Sequence, residues 1–171
     1  MTIQSPVSNY DFQKNLIVAK STEQEISQLL FEHNNIKTLE TSNTKDYDLK
    51  VECKKILDGK LEILYFEIKE DMLCGKTGNI ALEFSSWERP TGIMTTIATH
   101  YVHKLHERNG ITYWITNTWR LKKMVEDNLW HRIANGGDKG SNSMNYLFTL
   151  DVFKKYSKQL FVKVGDIDKI S

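Results

Sequence analysis

The strongest constraint on the fold is a pair of strand-forming segments joined by a tight turn. Residues 46–52 alternate polar and apolar side chains, and residues 60–69 form a second segment rich in residues that favour strands. Between them, Asp58-Gly59 is a pair typical of hairpin turns. The sequence therefore predicts an antiparallel hairpin, and the apolar run at 63–66 marks its second strand as central.

A helix is predicted just before this hairpin. The hydroxyls of Ser21 and Thr22 can cap a first turn that carries carboxylates, and apolar residues recur at helical spacing from Ile26 onward. We place this helix from about Thr22 to His33.

The rest of the chain predicts alternating strands and helices. Strands are expected at 80–84, 111–116, 146–150 and 160–164. Helices are expected from Thr95-Thr96 to Asn109-Gly110, from Asn117 to about Arg132, and at 151–158. The segments 87–92 and 135–141 are predicted loops. No repeat or linker divides the 171 residues, so we expect one domain over 1–171.

The composition indicates a globular protein but does not indicate what the protein binds. With 40% hydrophobic and 26% charged residues, the chain resembles soluble globular proteins. No apolar run approaches the roughly 18 residues needed to span a bilayer, and no signal-peptide pattern opens the chain, so a cytoplasmic location is expected. The 23 basic and 22 acidic residues nearly balance, which argues neither for nor against nucleic acid. The two cysteines predict neither a disulfide framework nor a thiolate zinc site.

Charged side chains gather on the predicted hairpin. In Phe66-Glu67-Ile68-Lys69, strand alternation sends Glu67 and Lys69 to one face and Ile68 to the other. Asp48, near the end of the partner strand, can join them. Two carboxylates suit Mg²⁺, and a neighbouring lysine can orient an attacking water or offset developing charge on a phosphate. Alone, Glu-X-Lys is also typical of an exposed ion pair on a strand.

An Asp, a hairpin and then Glu-X-Lys on the next strand, after an acidic helix, resemble the PD-(D/E)XK nuclease superfamily over about residues 22–101. The segments TGNIALEF at 77–84 and PTGIMTTIATHYVH at 90–103 resemble a phage-type branch of it. Unlike many members, this chain has no Pro before the Asp. The resemblance implies an α/β fold with a restriction-endonuclease-like core, in which helices flank a central mixed sheet.

The resemblance also implies the chemistry and the residues that perform it. It implies Mg²⁺-dependent phosphodiester hydrolysis, with Mn²⁺ as a substitute, and a catalytic role for Lys69. Asp48, Glu67 and Ile68 are the implied metal ligands. A glutamate on the first helix often completes such sites, and Glu25 is our candidate.

Two of these assignments have alternatives. Asp46 lies two residues before Asp48 and could be the ligand instead, although the strand-like alternation beside Asp48 favours Asp48. Glu23 competes with Glu25, and both could simply complement the helix dipole.

Other polar groups have simpler structural explanations. Glu83 could line the cleft but is more typical of an outward-facing strand residue. Three histidines without nearby acidic or thiol ligands do not indicate zinc: His100, His103 and His106. Several residues could contact DNA but also fit ordinary loops and caps: Trp87, Arg89, Thr95, Thr96 and Lys139.

We therefore expect a metal-dependent endonuclease that acts on DNA. It could be structure-specific, cutting branched DNA or Holliday junctions as a homodimer, or a phage-encoded endonuclease. The alternative is a non-catalytic nucleic-acid-binding or interaction protein that retains the nuclease fold, which a cleavage assay distinguishes.

Overall fold

The computed structural model describes residues 9–31, 36–42, 46–55, 58–136 and 142–160. Its helices are α1 (Asn9–Phe31), α2 (Cys74–Thr77), α3 (Thr118–Glu126) and α4 (Leu150–Tyr156), with a 3-10 turn at Gly92–Met94. Its strands are β1 (Ile36–Thr41), β2 (Leu49–Lys54), β3 (Leu61–Asp71), β4 (Asn79–Ser86), β5 (Arg89–Pro90), β6 (His100–Glu107), β7 (Gly110–Asn117), β8 (Arg132–Gly136), β9 (Ser143–Thr149) and β10 (Lys158–Leu160).

The strands form two sheets. The larger has the order β1-β2-β3-β6-β7-β10, and the smaller has the order β5-β4-β9-β8. In the larger sheet β3 and β6 are parallel, and all other neighbouring strands are antiparallel. The expected α/β fold with a central mixed sheet and flanking helices is confirmed.

The predicted hairpin is confirmed as β2 and β3. Leu49 pairs with Phe66 at its open end, and Lys54 pairs with Leu61 near the turn. Gly59 in that turn has a φ of 68°, a conformation that glycine adopts without steric cost. The additional strand β1 was not predicted.

The first helix is longer at its amino end than the sequence indicated. It begins at Asn9 rather than near Thr22, so Ser21 and Thr22 lie inside it. Instead of capping the helix, the Thr22 hydroxyl donates to the carboxylate of Glu70 on β3. The expected last residue, His33, lies outside the described residues.

The predicted second helix is wrong. Residues 100–107 form strand β6, which lies between β3 and β7 and pairs with both. Because β6 is central, Tyr101, Val102 and His103 are all buried. A strand buried on both faces has a nearly continuous apolar run, and periodicity does not distinguish it from a buried helix.

Several other boundaries moved. α3 ends at Glu126 rather than near Arg132, because residues 132–136 form strand β8. The predicted loop at 135–141 therefore begins inside a strand, and its residues 137–141, including Lys139, lie outside the described part. The last strand is described only to Leu160, so 161–164 is also outside it.

Two hydrophobic clusters lie on opposite faces of the larger sheet. The first packs α1 against the sheet and contains Ile26, Leu30, Leu49, Val51, Phe66, Ile68 and Val102. The second lies between the larger sheet, the smaller sheet and the other helices, and contains Cys74, Ile80, Leu82, Ile93, Tyr101, Leu105, Leu121, Met124, Phe148 and Phe153. The larger sheet therefore separates the two clusters, and β3 contributes Phe66 and Ile68 to the first. Among the described residues, no helix combines the length and apolar character needed to cross a membrane.

Candidate active site

Asp48 lies just before β2 begins, where β3 continues past the end of its pairing with β2. Leu49 and Phe66 form the last β2–β3 pair, and beyond it the backbone N–H of Asp48 donates to the carbonyl of Phe66 at 2.8 Å. The Asp48 Oδ2 then accepts a hydrogen bond from the backbone N–H of Ile68 at 2.6 Å. The Asp48 side chain thus sits directly against the middle residue of Glu67-Ile68-Lys69.

The backbone of Ile68 adds an oxygen to this edge. In a strand, the N–H and C=O of one residue point toward the same neighbouring strand. Since the Ile68 N–H points to Asp48, the Ile68 carbonyl lies on the same side. Its side chain is buried in the first cluster and helps to hold this backbone in place.

Glu67 and Lys69 form an ion pair on the opposite face of β3 from Ile68. Lys69 Nζ lies 2.5 Å from Glu67 Oε1, and the two side chains are 50% and 16% exposed respectively. Burial raises the pKa of Glu67 and nearby Asp48 raises it further, which Lys69 only partly offsets. Desolvation lowers the pKa of Lys69, but the carboxylates of Glu67 and Asp48 outweigh it, so the net shift is upward and Lys69 is an ammonium at neutral pH.

The first-helix glutamate that faces this group is Glu23. Burial raises its pKa, and the charge of Asp48 raises it further, with a smaller contribution from Glu67. An open cleft of about 340 Å³ adjoins these groups. Its lining is formed by Val18, Ala19, Thr22, Glu23, Asp48, Ile68, Lys69, Glu70 and Met72.

Glu25, our sequence candidate, is not brought to Asp48. Its carboxylate lies 2.5 Å from Lys104 Nζ and also accepts a hydrogen bond from the Tyr113 hydroxyl. Desolvation raises the pKa of Glu25, but these two hydrogen bonds outweigh it and lower the pKa overall. Glu25 therefore belongs to an ion-pair network with Lys104 and Glu70 that anchors α1 to the sheet.

The two remaining candidate carboxylates, Asp46 and Glu83, do not lie beside Ile68 as Asp48 does. Asp46 is exposed before the β2 strand, whereas Asp48 contacts β3. Glu83 on β4 accepts a hydrogen bond from the Thr91 hydroxyl at 2.8 Å, and its charge reaches both Glu67 and Lys69. Glu83 thus lies at the margin of the site.

The donor set fits a hard divalent cation. Asp48 and Glu67 supply carboxylates and Ile68 supplies a carbonyl oxygen. Within the described residues no group of three or more histidine, cysteine or carboxylate side chains stands ready to hold a metal. Mg²⁺ keeps several of its waters and uses one or two protein carboxylates, so Asp48, Glu67 and the Ile68 carbonyl are the groups here that could hold it.

The three histidines do not converge. Strand alternation places His103 on the opposite face of β6 from His100 and His106. His106 contacts Glu70 at 2.7 Å, and His103 is buried behind Lys69, its neighbour in the β3–β6 register.

Trp87 occupies a hairpin tip between β4 and β5. It is 66% exposed, and both it and Glu88 have positive φ angles, 51° and 60°. Arg89 begins β5. Thr95 and Thr96 follow the 3-10 turn and do not begin a helix, so the proposed helix start at that position is wrong.

Sequence reasoning missed Tyr101 as a neighbour of the site and preferred Glu25 to Glu23. Tyr101 pairs in register with Glu67, and only the strand assignment of β6 could have revealed it. Which of the two glutamates faces Asp48 depends on how α1 is rotated against the sheet. Contacts between distant segments set that rotation, and helical spacing alone does not predict it.

Comparison with solved structures finds a nuclease from a fusselovirus, which is 14% identical. The likeness covers 94% of this chain and 91% of that chain, with a TM-score of 0.39. No family model matches the sequence, and no curated protein matches it. The roles of individual residues therefore rest on the geometry of this chain.

Proposed function

We propose that the protein is a Mg²⁺-dependent endonuclease of the PD-(D/E)XK type that hydrolyses DNA phosphodiester bonds. The observation that carries the proposal is the hydrogen bond from the Ile68 N–H to Asp48. It brings an aspartate from one strand against Glu-X-Lys on the next, beside an open cleft.

Asp48, Glu67 and the Ile68 carbonyl would hold the cation. When bound, Mg²⁺ supplies Lewis acidity and lowers the pKa of a coordinated water near a phosphate. The bound cation would also offset the repulsion between Asp48 and Glu67, which adds to the effect of burial in raising the pKa of Glu67. Mn²⁺ prefers similar oxygen ligands and should substitute.

Lys69 is a cation rather than a base in this arrangement. Its ammonium is stabilised by Glu67 and Asp48, and its side chain is half exposed toward the cleft. An ammonium at that position can bind a phosphate oxygen and balance the charge that develops during hydrolysis. We therefore assign Lys69 to electrostatic stabilisation rather than to proton abstraction.

A cleavage panel tests the proposal. Linear, nicked, flapped, single-stranded and four-way DNA, with a matched RNA, are incubated with Mg²⁺, Mn²⁺ or a chelator. We expect metal-dependent cleavage of at least one DNA substrate, and the preferred geometry identifies branch specificity. Sedimentation of the same preparation shows whether the active species is a homodimer.

A matched lysine pair identifies the site. Lys69→Ala should lose cleavage by about 100-fold or more, the scale of losing a preorganised electrostatic donor. The control is Lys55→Ala, because Lys55 is 47% exposed and forms an ion pair at 3.4 Å with Glu62, which lies on β3 as Lys69 does. Equal activity in the two variants would remove Lys69 from the mechanism. DNA binding without cleavage in the parent would favour the non-catalytic alternative.

A further inference from the structure

Tyr101 is the buried polar residue closest in register to the proposed metal ligands. It pairs with Glu67 across the parallel β3–β6 ladder and is 1% exposed. Residues paired in a ladder project to the same face of the sheet, so the two side chains share the face that carries Lys69. Tyr101 therefore reaches beneath the ion pair of Glu67 and Lys69.

The Tyr101 hydroxyl has no hydrogen-bond partner among the described residues. Thr96 lies near enough to favour the phenolate, but the contact does not meet hydrogen-bond geometry. The Thr96 oxygen instead accepts from the backbone N–H of Ala98 at 3.0 Å. Burying a hydroxyl without a hydrogen-bond partner costs about 1–3 kcal/mol of folding free energy. This cost suggests that the hydroxyl has a function other than stabilising the fold.

The charges of three carboxylates act on this hydroxyl. Besides burial, the charges of Glu67, Asp48 and Glu83 raise the pKa of Tyr101, so the phenol remains a neutral donor. Glu67, however, is engaged by Lys69 at 2.5 Å. The Glu67 carboxylate is therefore directed to Lys69 and makes no hydrogen bond with the Tyr101 hydroxyl.

The Tyr101 ring is fixed by its neighbours. The ring of His103 lies 5.9 Å from that of Tyr101 in a stacked arrangement, and Phe153 meets His103 edge-on at 4.8 Å. Burial and the charge of Lys69 lower the pKa of His103 to about 3, so its imidazole is neutral. His103 packs the phenol in place without adding a charge to the site.

We infer that Tyr101 is a positioning residue for the divalent cation, because its hydroxyl donates to the Glu67 carboxylate when Glu67 turns from Lys69 toward the metal. This inference rests on the proposed function. The hydrogen bond would fix the orientation of one carboxylate oxygen and leave the other for the cation. Such partners of metal ligands typically contribute about 10-fold or more to metal affinity.

The test compares Tyr101→Phe with Tyr113→Phe in the full chain. Tyr113 is the matched control, because its hydroxyl donates to a glutamate outside the site, Glu25. Mn²⁺ affinity is measured by calorimetric titration after chelation, and stability is measured by urea unfolding without metal. We expect Tyr101→Phe to unfold at the same or higher urea concentration but to bind Mn²⁺ about 10-fold more weakly. Tyr113→Phe should lose stability and keep its metal affinity.

The outcomes separate this inference from the proposed function. If the parent neither binds Mn²⁺ nor cleaves DNA, the proposed function fails and the inference falls with it. If the parent binds Mn²⁺ and Tyr101→Phe binds it equally well, only the inference is overturned. A clear loss of metal-free stability in Tyr101→Phe would also overturn it, since the hydroxyl would then have a partner in the absence of the cation.

Discussion

The carboxylate of Asp48 accepts a hydrogen bond from the backbone N–H of Ile68 at 2.6 Å, beyond the last pair of the β2–β3 ladder. A side chain thus continues the hydrogen bonding that the backbone of β2 no longer supplies. The same contact holds a negative charge near Glu67 and Glu23, whose pKa values are both raised in part by Asp48. Asp48 therefore stabilises the strand edge through its hydrogen bond, and at the same time its negative charge repels Glu67 and Glu23.

Asp48→Asn separates these two effects. The amide oxygen can still accept from Ile68, while the repulsion with Glu67 is removed. We expect the variant to melt at the same or a higher temperature than the parent without metal. It should lose the metal-dependent stabilisation of the parent, which is about 1.4 kcal/mol at tenfold excess of ligand over its dissociation constant. Differential scanning calorimetry with and without Mg²⁺ measures both.

Asp46→Asn is the control for that variant, because Asp46 is exposed before β2. It should keep the metal response. The reverse result, in which Asp46→Asn loses the response and Asp48→Asn keeps it, would transfer the ligand role to Asp46. If both variants respond to metal and cut DNA, the proposed site is absent.

Glu23→Gln and Glu25→Gln should have opposite effects on stability. Glu23 is destabilised by burial and by Asp48, so its neutralisation should leave metal-free stability equal or higher. Glu25 binds Lys104, whose side chain is only 11% exposed, but Glu25 itself is 38% exposed, so Glu25→Gln should cost about 0.5–1 kcal/mol. Urea unfolding curves at neutral pH measure the difference.

The same pair tests which helix glutamate serves the cation. Calorimetric titration with Mn²⁺ should show weaker binding in Glu23→Gln and parent-like binding in Glu25→Gln. Weaker binding only in Glu25→Gln would restore the assignment made from the sequence.

Glu67 and Glu70 should shift the pH dependence of stability in opposite directions. The folded pKa of Glu67 is raised by burial and by Asp48 from its ordinary value of 4.5, so its contribution is full below 4.5 and is lost as pH rises through the folded value. Burial also raises the pKa of Glu70, but hydrogen bonds from Thr22 and His106 outweigh it and lower the pKa. The Glu70 contribution is therefore present above 4.5 and is lost as pH falls through the folded value.

Unfolding of the metal-free Gln variants between about pH 3.5 and 7 measures these contributions. Relative to the parent, Glu67→Gln should become more stable as pH rises. Glu70→Gln should be less stable at neutral pH, and that deficit should shrink in acid. Parallel curves for parent and both variants would contradict the two pKa shifts.

Glu88→Gly should stabilise the tip of the β4–β5 hairpin. Glu88 has a φ of 60°, a left-handed conformation that costs a residue with a side chain about 1–2 kcal/mol and costs glycine little. After the greater flexibility of glycine in the unfolded chain is counted, a net gain of about 0.5–1 kcal/mol is expected. Thermal unfolding measures it.

The control for that change is Ala81→Gly. Ala81 is exposed on β4 within regular strand structure, so glycine there should destabilise by about 0.5–1 kcal/mol. A loss of stability in both variants would show that the Glu88 conformation is not strained.

The sequence was sufficient for the hairpin and the residues on it. Alternation along 46–52 and 60–69, with Asp58-Gly59 between them, predicted β2, β3 and the shared face of Glu67 and Lys69, all as found. These features depend on neighbours in the sequence, and a strand repeats every two residues whatever surrounds it.

The errors have a common physical cause, because each depended on contacts between distant segments. β6 is central only because β3 and β7 enclose it, so its run of buried residues matched a helix equally well. Likewise, the choice between Glu23 and Glu25 depended on Lys104 and Tyr113, which approach Glu25 from other strands.

The two faces of β3, one packed in a hydrophobic cluster and the other carrying Glu67 and Lys69, make the chain unequally tolerant of changes in length. Inserting or deleting one residue between Phe66 and Lys69 would turn every following side chain to the opposite face, placing charges in one interior and apolar groups in the cleft. One residue added at the turn near Gly59 would leave both faces intact. Related chains that keep this site should therefore vary in the length of that turn while keeping the spacing from Phe66 to Lys69 fixed.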